Sequence, residues 1–362
     1  MKRKYLVIFM LLIFCLTTSC KPQNNSNIKI KDSSSNTYSN KQELNYLDFI
    51  NNLNKLTMDE INIQNSKNID GSSIACGFGG WTIFLDCKSL SGPSKLNIIN
   101  NDGNYETIYE TNKGISNIFI YNKNTIGLSL IEDFNYENIH EKYMKYNLIT
   151  KEINEITEIG DKEYQFWWFN NRAILFNEVN GFFDIYYLEN NANKKLIDKN
   201  IKYYSINNDK LFYYIKDSSD LYFYDFDKNK KTYVTTIKEL ESFKIYNNKL
   251  IFETLGSLNI YNLDNKEIFT IQGSNDMYIY NVHQMAFDNN YMYTLFSEGL
   301  YKISYDGKEK TCLAKDKTVR CITLLDDWIY FISENYSNDG LSLIFNTYRI
   351  KYDGTNLQNI NY

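Results

Sequence analysis

The chain has 362 residues, with 39 Lys+Arg against 44 Asp+Glu for a formal net charge of −5, and 32 Tyr and 22 Phe beside only two Pro and two His. A mildly acidic chain gains nothing from counterion release, which excludes nucleic acid as a partner. Two histidines and no Cys-x-x-Cys spacing speak against a zinc centre, while abundant Tyr, Phe and turn-forming Asn point to an all-β chain.

Lys2, Arg3 and Lys4 precede an apolar run, Tyr5 to Leu16, that is too short to span a bilayer, which takes about 20 residues. Leu16-Thr17-Thr18-Ser19 then lead to Cys20. The arrangement resembles a bacterial lipoprotein signal, which implies cleavage after Ser19 and a lipid on Cys20. Thr17 departs from that pattern, since leucine is commoner there; Leu16 sits one place further back. The plainer reading is an ordinary secretory signal, and either one exports the chain. Residues 1–19 are thus read as the signal. Its loss removes three cations and no acids, which takes the net charge from −5 to −8. That sign weakly repels anionic lipids and wall polymers. No apolar run of about 18 residues follows, so the Cys20 lipid is the expected link to the membrane, on its outer face.

Residues 20–41 are rich in Asn, Ser and Lys and have little to bury, so they read as a disordered tether. As a flexible coil, about 20 residues span roughly 25 Å. Leu44, Leu47, Ile50 and Leu53 recur at three-residue spacing, which predicts a short helix within a spacer over 42–64.

From residue 65 to 362 the chain repeats. One landmark is a strand that ends in a polar turn: Leu300 to Gly307, Thr347 to Gly354, Leu221 to Lys228 and Leu258 to Asn265, with weaker copies at Leu96 to Gly103 and before Ile149 and Asn190. The turns fall at 102, 149, 190, 227, 264, 306 and 353, with steps of 47, 41, 37, 37, 42 and 47. A second series runs in phase upstream, at Trp81-Thr82-Ile83-Phe84, Thr125 to Leu128, Ala173 to Phe176, Leu211 to Tyr214, Leu250 to Phe252, Tyr291 to Tyr293 and Trp328 to Phe331. A period of 40–50 residues with about four strands per unit marks a β-propeller, here of seven four-stranded blades. Stacking on neighbours explains aromatic runs without clean alternation, because both faces of each sheet are covered.

The last unit, Asp326 to Ile332 followed by Tyr348 to Asn356, resembles a propeller family of unknown function found in clostridial and related exported proteins, distantly like the propellers of lipoprotein receptors. Gly71, Ala75, Gly79-Gly80-Trp81 and Leu96 to Gly103 fit the same pattern. The resemblance implies fold and export, and it brings no catalytic residues with it.

Tests for chemistry return little. His140 and His283 lie in no nucleophile motif, and Lys308 is followed by Glu309 rather than by a P-loop hydroxyl. Gly77-Phe78-Gly79-Gly80 reads as a hairpin, not as a dinucleotide fingerprint. Asp225, Asp227 and Asn229 open like a calcium loop, but Lys230 and Thr236 stand where it needs Gly and Glu, so a plain turn is expected. Glu253, Asp184 and Glu178 lie near inner strands, yet nothing in their spacing selects them over other acids. Phe166-Trp167-Trp168-Phe169 puts two rings on each face of one strand. Both faces pack as core, or else Trp167 or Trp168 reaches the channel mouth as a stacking platform for a ligand. Tyr203, Tyr204, Tyr213 and Tyr214 pose the same choice and read as core. Cys76, Cys87, Cys312 and Cys321 allow three pairings, and the Gly79-Gly80 hairpin sets Cys76 opposite Ile83 rather than Cys87.

No catalytic residue, metal or cofactor is assigned. The expected function is a lipid-anchored extracellular propeller that binds a protein, a wall polymer or a small ligand. The alternative is an extracellular polysaccharide-acting enzyme with acids and aromatics at the channel mouth.

Overall fold

A computed structural model describes residues 46–361 apart from 58, 62–63, 65–73, 79, 88, 90–91, 136–137, 157–164, 170–171, 190–192, 208, 255, 273–281, 297–298, 316–317 and 337–342. Cys20 and the tether lie outside the described residues. Helix α1, Tyr46–Leu53, falls within the spacer.

Seven antiparallel blades follow. Blade 1 holds β1 Ala75–Phe78, β2 Trp81–Cys87, β3 Ser94–Asn100 and β4 Tyr105–Thr111; blade 2 holds β5 Gly114–Asn122, β6 Thr125–Asn135, β7 Asn138–Asn147 and β8 Ile153–Glu155. Blade 3 holds β9 Gln165–Phe169, β10 Arg172–Val179, β11 Phe182–Glu189 and the first part of β12, Asn193–Asn207. Blade 4 is the rest of β12 with β13 Lys210–Ile215, β14 Asp220–Asp225 and β15 Lys230–Thr236. Blade 5 holds β16 Leu240–Tyr246, β17 Lys249–Thr254, β18 Ser257–Asn262 and β19 Ile268–Gln272; blade 6 holds β20 Ala286–Phe287, β21 Tyr291–Phe296, β22 Gly299–Ser304 and β23 Lys310–Lys315. Blade 7 holds β24 Val319–Leu325, β25 Trp328–Tyr336, β26 Leu343–Lys351 and β27 Gln358–Asn359.

The two sequence series are the second strands and the turns after the third strands; the second strands and the turns at 102, 149, 227, 264, 306 and 353 fall where the repeat placed them, and the turn at Asn190 lies outside the described residues. Blades 3 and 4 form one seven-stranded sheet, because β12 pairs first with β11 and then with β13. The chain turns between them at Asn200, whose φ is +56°, instead of leaving through a loop.

The turn chemistry explains why some copies look degenerate. Gly103, Gly307 and Gly354 take positive φ in the third-to-fourth strand turns. Lys151, Asn229 and Lys266 take the same left-handed backbone in three others, so a turn can keep its shape after losing its Asp-Gly signature. Asn supplies five of the eleven described non-glycine residues at positive φ, the tolerance expected of it in turns.

First strands of neighbouring blades meet around the axis: β1 packs against β5 and β24, β12 against β16, and β20 against β24. The ring closes without strand exchange, since blades 1 and 7 are each built from four consecutive strands. Side chains hold the seam. Tyr330 Oη and Thr82 Oγ1 are hydrogen-bonded at 3.0 Å, Thr347 Oγ1 donates to Leu85 O at 3.1 Å, and Asn361 Nδ2 donates to Asp86 Oδ1 at 2.6 Å. Arg349 is only 2% exposed; its guanidinium lies 4.1 Å from the Trp328 ring centre and donates to Gln358 Oε1 at 2.7 Å and Asn100 O at 3.4 Å.

Between blades, rings fill the core. Phe119 lies over Gly127, its cross-strand partner, where a Cβ would sit 2.1 Å from the ring. Only glycine admits that approach, and the ring then packs against Phe166 and Trp167, each at 6.0 Å.

The first-to-second and third-to-fourth strand connections all emerge on one face, here called the turn face; the second-to-third and blade-to-blade connections emerge on the other, the loop face. The spacer docks on the turn face. Phe49 meets Trp81 at 5.8 Å, and Lys123, in the first turn of blade 2, donates to Asn54 O at 3.4 Å. Thr57 and Glu60 cap each other reciprocally, with Thr57 N donating to Glu60 Oε2 at 2.8 Å and Glu60 N to Thr57 Oγ1 at 3.2 Å. The Gln64 side-chain amide then clasps β1, its Nε2 donating to Gly77 O at 2.7 Å and its Oε1 accepting from Gly77 N at 2.9 Å.

Candidate functional site

Trp167 and Trp168 are 6% and 9% exposed. Alternation along β9 sends Phe166 and Trp168 into the apolar cluster shared with blade 2, and Trp167 and Phe169 into the one shared with blade 4. Trp168 stacks on Tyr121 with centroids 4.4 Å apart. Tyr213 and Tyr214 are buried, and Tyr203 and Tyr204 are half-buried. Tyr204 stacks on Phe176 at 4.2 Å.

The Asp225–Asn229 loop directs its oxygens at donors of the protein itself. Asp225 Oδ1 accepts from Lys228 N at 2.9 Å, Asp227 Oδ1 meets Arg172 at 3.2 Å, and Asn229 Oδ1 accepts from Lys195 Nζ at 2.7 Å and from the Tyr224 hydroxyl. That is the arrangement of a plain turn. Cys76 pairs with Ile83 in register, and no disulfide links Cys76, Cys87, Cys312 and Cys321. Burial pushes the Cys76 thiol well up, which makes it inert rather than nucleophilic. Of the two histidines only the backbone is described, His140 in β7 and His283 in a 3-10 turn, Val282–Gln284.

Among the three acids named from sequence, Glu253 stands apart. Glu178 is exposed at the end of β10, and Asp184 is half-buried, its Oδ1 accepting from Asn200 N at 3.3 Å. Glu253 is 6% exposed, at the loop-face end of β17. It pairs in register with Ser242 on β16, whose Oγ donates to Glu253 Oε2 at 3.3 Å. Burial, reinforced by the neighbouring Glu241 carboxylate and only partly offset by Ser242, pushes the Glu253 carboxyl up to about 7. The same cluster raises the Tyr203 phenol to about 12, through burial first and then the Glu241 charge. Burial and the nearby Lys216 lower Lys202. Lys244, 8% exposed and one strand step from Ser242 on the same face of β16, donates to Met285 O at 3.0 Å.

Position within the repeat shows how unusual Glu253 is. Counting four residues on from the pair that closes each first turn, the other blades carry Leu85, Ser129, Phe176, Tyr214, Leu295 and Ile332. A carboxyl therefore occupies what is otherwise mainly an apolar packing position. Two other described buried acids lie toward this end of a second strand: Glu334 is ion-paired with Arg320 at 2.6 Å and Asp86 accepts from Asn361 Nδ2, whereas Glu253 takes a hydroxyl. Burying a carboxyl without a cation disfavours its charged form, so the fold holds a proton there up to near neutral pH. Such a group can donate or accept a proton at the loop-face end of β17. Trp167 and Trp168 sit two blades away, so the structure does not bring Glu253 and Glu241 beside the tryptophans. Ser242, Glu241 and Lys244 were not singled out from sequence; aligning the repeats on the first turn would have exposed Glu253, but its partners depend on the bulge between Leu240 and Ser242.

On the opposite face of β17 a cleft of about 290 Å³ lies between blades 4 and 5, with Ile237, Phe252, Thr254, Asn259, Tyr261 and Ile268 among its lining residues.

No protein-family profile matches the chain, and no curated protein gives a significant match. Similar solved structures include an uncharacterised protein of Listeria monocytogenes, at 15% identity over 77% of this chain and 90% of that one, with a TM-score of 0.48. Hsv2 of Kluyveromyces lactis is similar at 11% identity over 74% and 94%, with a TM-score of 0.46. Acylaminoacyl peptidase of Pyrococcus horikoshii is similar at 13% identity over 75% of this chain, with a TM-score of 0.45. The chain spans 49% of that peptidase and 30% of the tricorn protease, which it also resembles. At these scores the seven-blade assignment rests on the sheets themselves.

Proposed function

We propose that this β-propeller is a lipid-anchored binding module on the outer face of the cell membrane, with its loop face turned to an extracellular protein, wall polymer or small ligand. The observation that carries this reading is the docking of the spacer on the turn face, through Phe49 on Trp81 and Gln64 on Gly77. Helix α1 begins on that side at Tyr46, so an anchor reached from there would leave the opposite face outward. Connections on a rigid scaffold are where binding residues concentrate.

The experiment has two arms on intact cells. Cys20→Ala is expected to release the folded propeller into the medium; retention on the membrane sinks the anchor. A photoreactive side chain at Lys216, in the loop-face turn of blade 4, is expected to capture a partner that one at Lys308, in a turn-face turn of blade 6, does not. Equal capture, or capture at Lys308 alone, overturns the orientation.

A second reading, an extracellular polysaccharide-acting enzyme, is favoured by one observation, the protonatable Glu253 beside Glu241. Acid-base hydrolysis uses such a pair, one carboxyl neutral and one charged. It requires that Glu253→Gln abolish release of reducing ends from wall polysaccharide.

A further inference from the structure

Among the described residues no strand pairs with the far side of any blade's outermost strand, and such an open edge is a template for pairing with another chain that proteins usually blunt with charges or by keeping the strand short. Six of the seven edges follow that rule. The outer strand β4 carries Glu106 and Glu110, β15 carries Lys230 and Lys231, and β23 carries Lys310 and Lys315. The outer part of β12 carries Lys194, Lys195 and Asp198, while β8 has three residues and β27 two. The seventh, β19, reads Ile268-Phe269-Thr270-Ile271-Gln272 and has no charge at all. It is also open to solvent, with Ile268 61% and Phe269 43% exposed. Those two are among the most exposed large apolar residues described, and they lie side by side.

We infer that β19 is the edge through which a second copy of this chain adds, antiparallel, so that two blade-5 sheets join across a two-fold axis. The strand's own pattern selects this occupant. A two-fold axis perpendicular to a continuous sheet keeps each side chain on its own face, so residues pair only with partners of the same parity. Within blade 5, Ile268 lines the cleft towards blade 4 and Thr270 Oγ1 donates to Asn259 Oδ1 in the same lining, while Ile271 packs on the cluster shared with blade 6. Centred on Thr270, the register sets Phe269 against Ile271 of the second copy, twice, and Thr270 against itself. Aromatic–β-branched and Thr–Thr pairs are both favourable cross-strand combinations. No like charges meet within the paired strands. Any other outer strand long enough to pair would set lysines or acids on its free edge.

The test uses the symmetry. Thr270→Cys in the full chain on intact cells, under mild oxidation, is expected to give a disulfide-linked dimer, because only a self-paired residue meets its own copy across the axis. The unaltered chain, which already carries the exposed Cys312 on β23, reports the background. Adding Phe269→Lys to Thr270→Cys puts a cation on the edge and removes both aromatic pairs, and is expected to lower the dimer yield about tenfold. Heat denaturation of the double variant checks that the propeller remains folded. A dimer yield no greater than the background, or one that survives Phe269→Lys in a folded chain, overturns the inference. So does a Thr270→Cys adduct with a different protein in place of the dimer.

Discussion

Replacing Arg349 with Met probes the feature on which a ring without strand exchange depends, the side-chain seam between blades 7 and 1. Arg349 is almost fully buried, donates to Gln358 Oε1 and Asn100 O, and lies against the Trp328 ring. Hydrogen bonds from a charged donor contribute about 1.5–3 kcal/mol, and a desolvated cation–π contact about 1–2 kcal/mol. Met fills a similar volume, so no large cavity offsets the comparison, and relief of the buried charge returns part of the loss. The net cost is expected at about 3 kcal/mol, equivalent to a fall of roughly 5 °C in Tm for a domain of about 300 residues. Urea unfolding with hydrogen exchange measures both the loss and its location. Protection in blades 1 and 7 should fall first, with blade 4 across the ring holding longest. Lys351→Met is the control, since Lys351 also lies 4.0 Å from the Trp328 ring centre but is less buried; it should cost under about 0.5 kcal/mol. An Arg349→Met chain as stable as the parent, or one that loses protection evenly around the ring, would refute the seam's role.

Glu253 makes stability fall as pH rises. Its carboxyl sits near 7 when folded and near the ordinary 4.5 when unfolded, so between these values the folded chain holds a proton that the unfolded chain has lost. About 3 kcal/mol should disappear between pH 4.5 and 7 and stay lost above. Glu253→Gln should flatten that slope in urea midpoints measured from pH 5 to 8; an unchanged slope would mean the group is solvated. At Gly127, a Cβ would lie 2.1 Å from Phe119, and overpacking of this kind costs about 3 kcal/mol for Gly127→Ala. Combining it with Phe119→Leu should cost less than the two losses added, and strict additivity in that double-mutant cycle would place the strain elsewhere.

Much of the fold was legible because it repeats. The second-strand series from Trp81 to Trp328 and the described turns of the series from 102 to 353 mark real elements, and Cys76 lies opposite Ile83 as expected. The merged sheet was not legible, because a positive φ at Asn200 leaves no Gly or Pro in the sequence to mark the bend. At the candidate site, Glu253 was one acid among three, and only its register with Ser242 and its burial separate it from Glu178 and Asp184. Arg349 carried no signal at all, since its acceptor Asn100 lies about 250 residues earlier in the chain.

By itself the sequence determined the period, the strand content and the turn positions, because these follow from local chemistry: aromatic runs that favour extended backbone, and Asn, Asp and Gly where the chain must reverse. Tertiary structure alone decided which rings face which blade, where a carboxyl loses its water, how the seam closes and which edge stays bare. Those properties depend on groups brought together from distant blades, and burial and contact across the ring have no counterpart in a local stretch of residues.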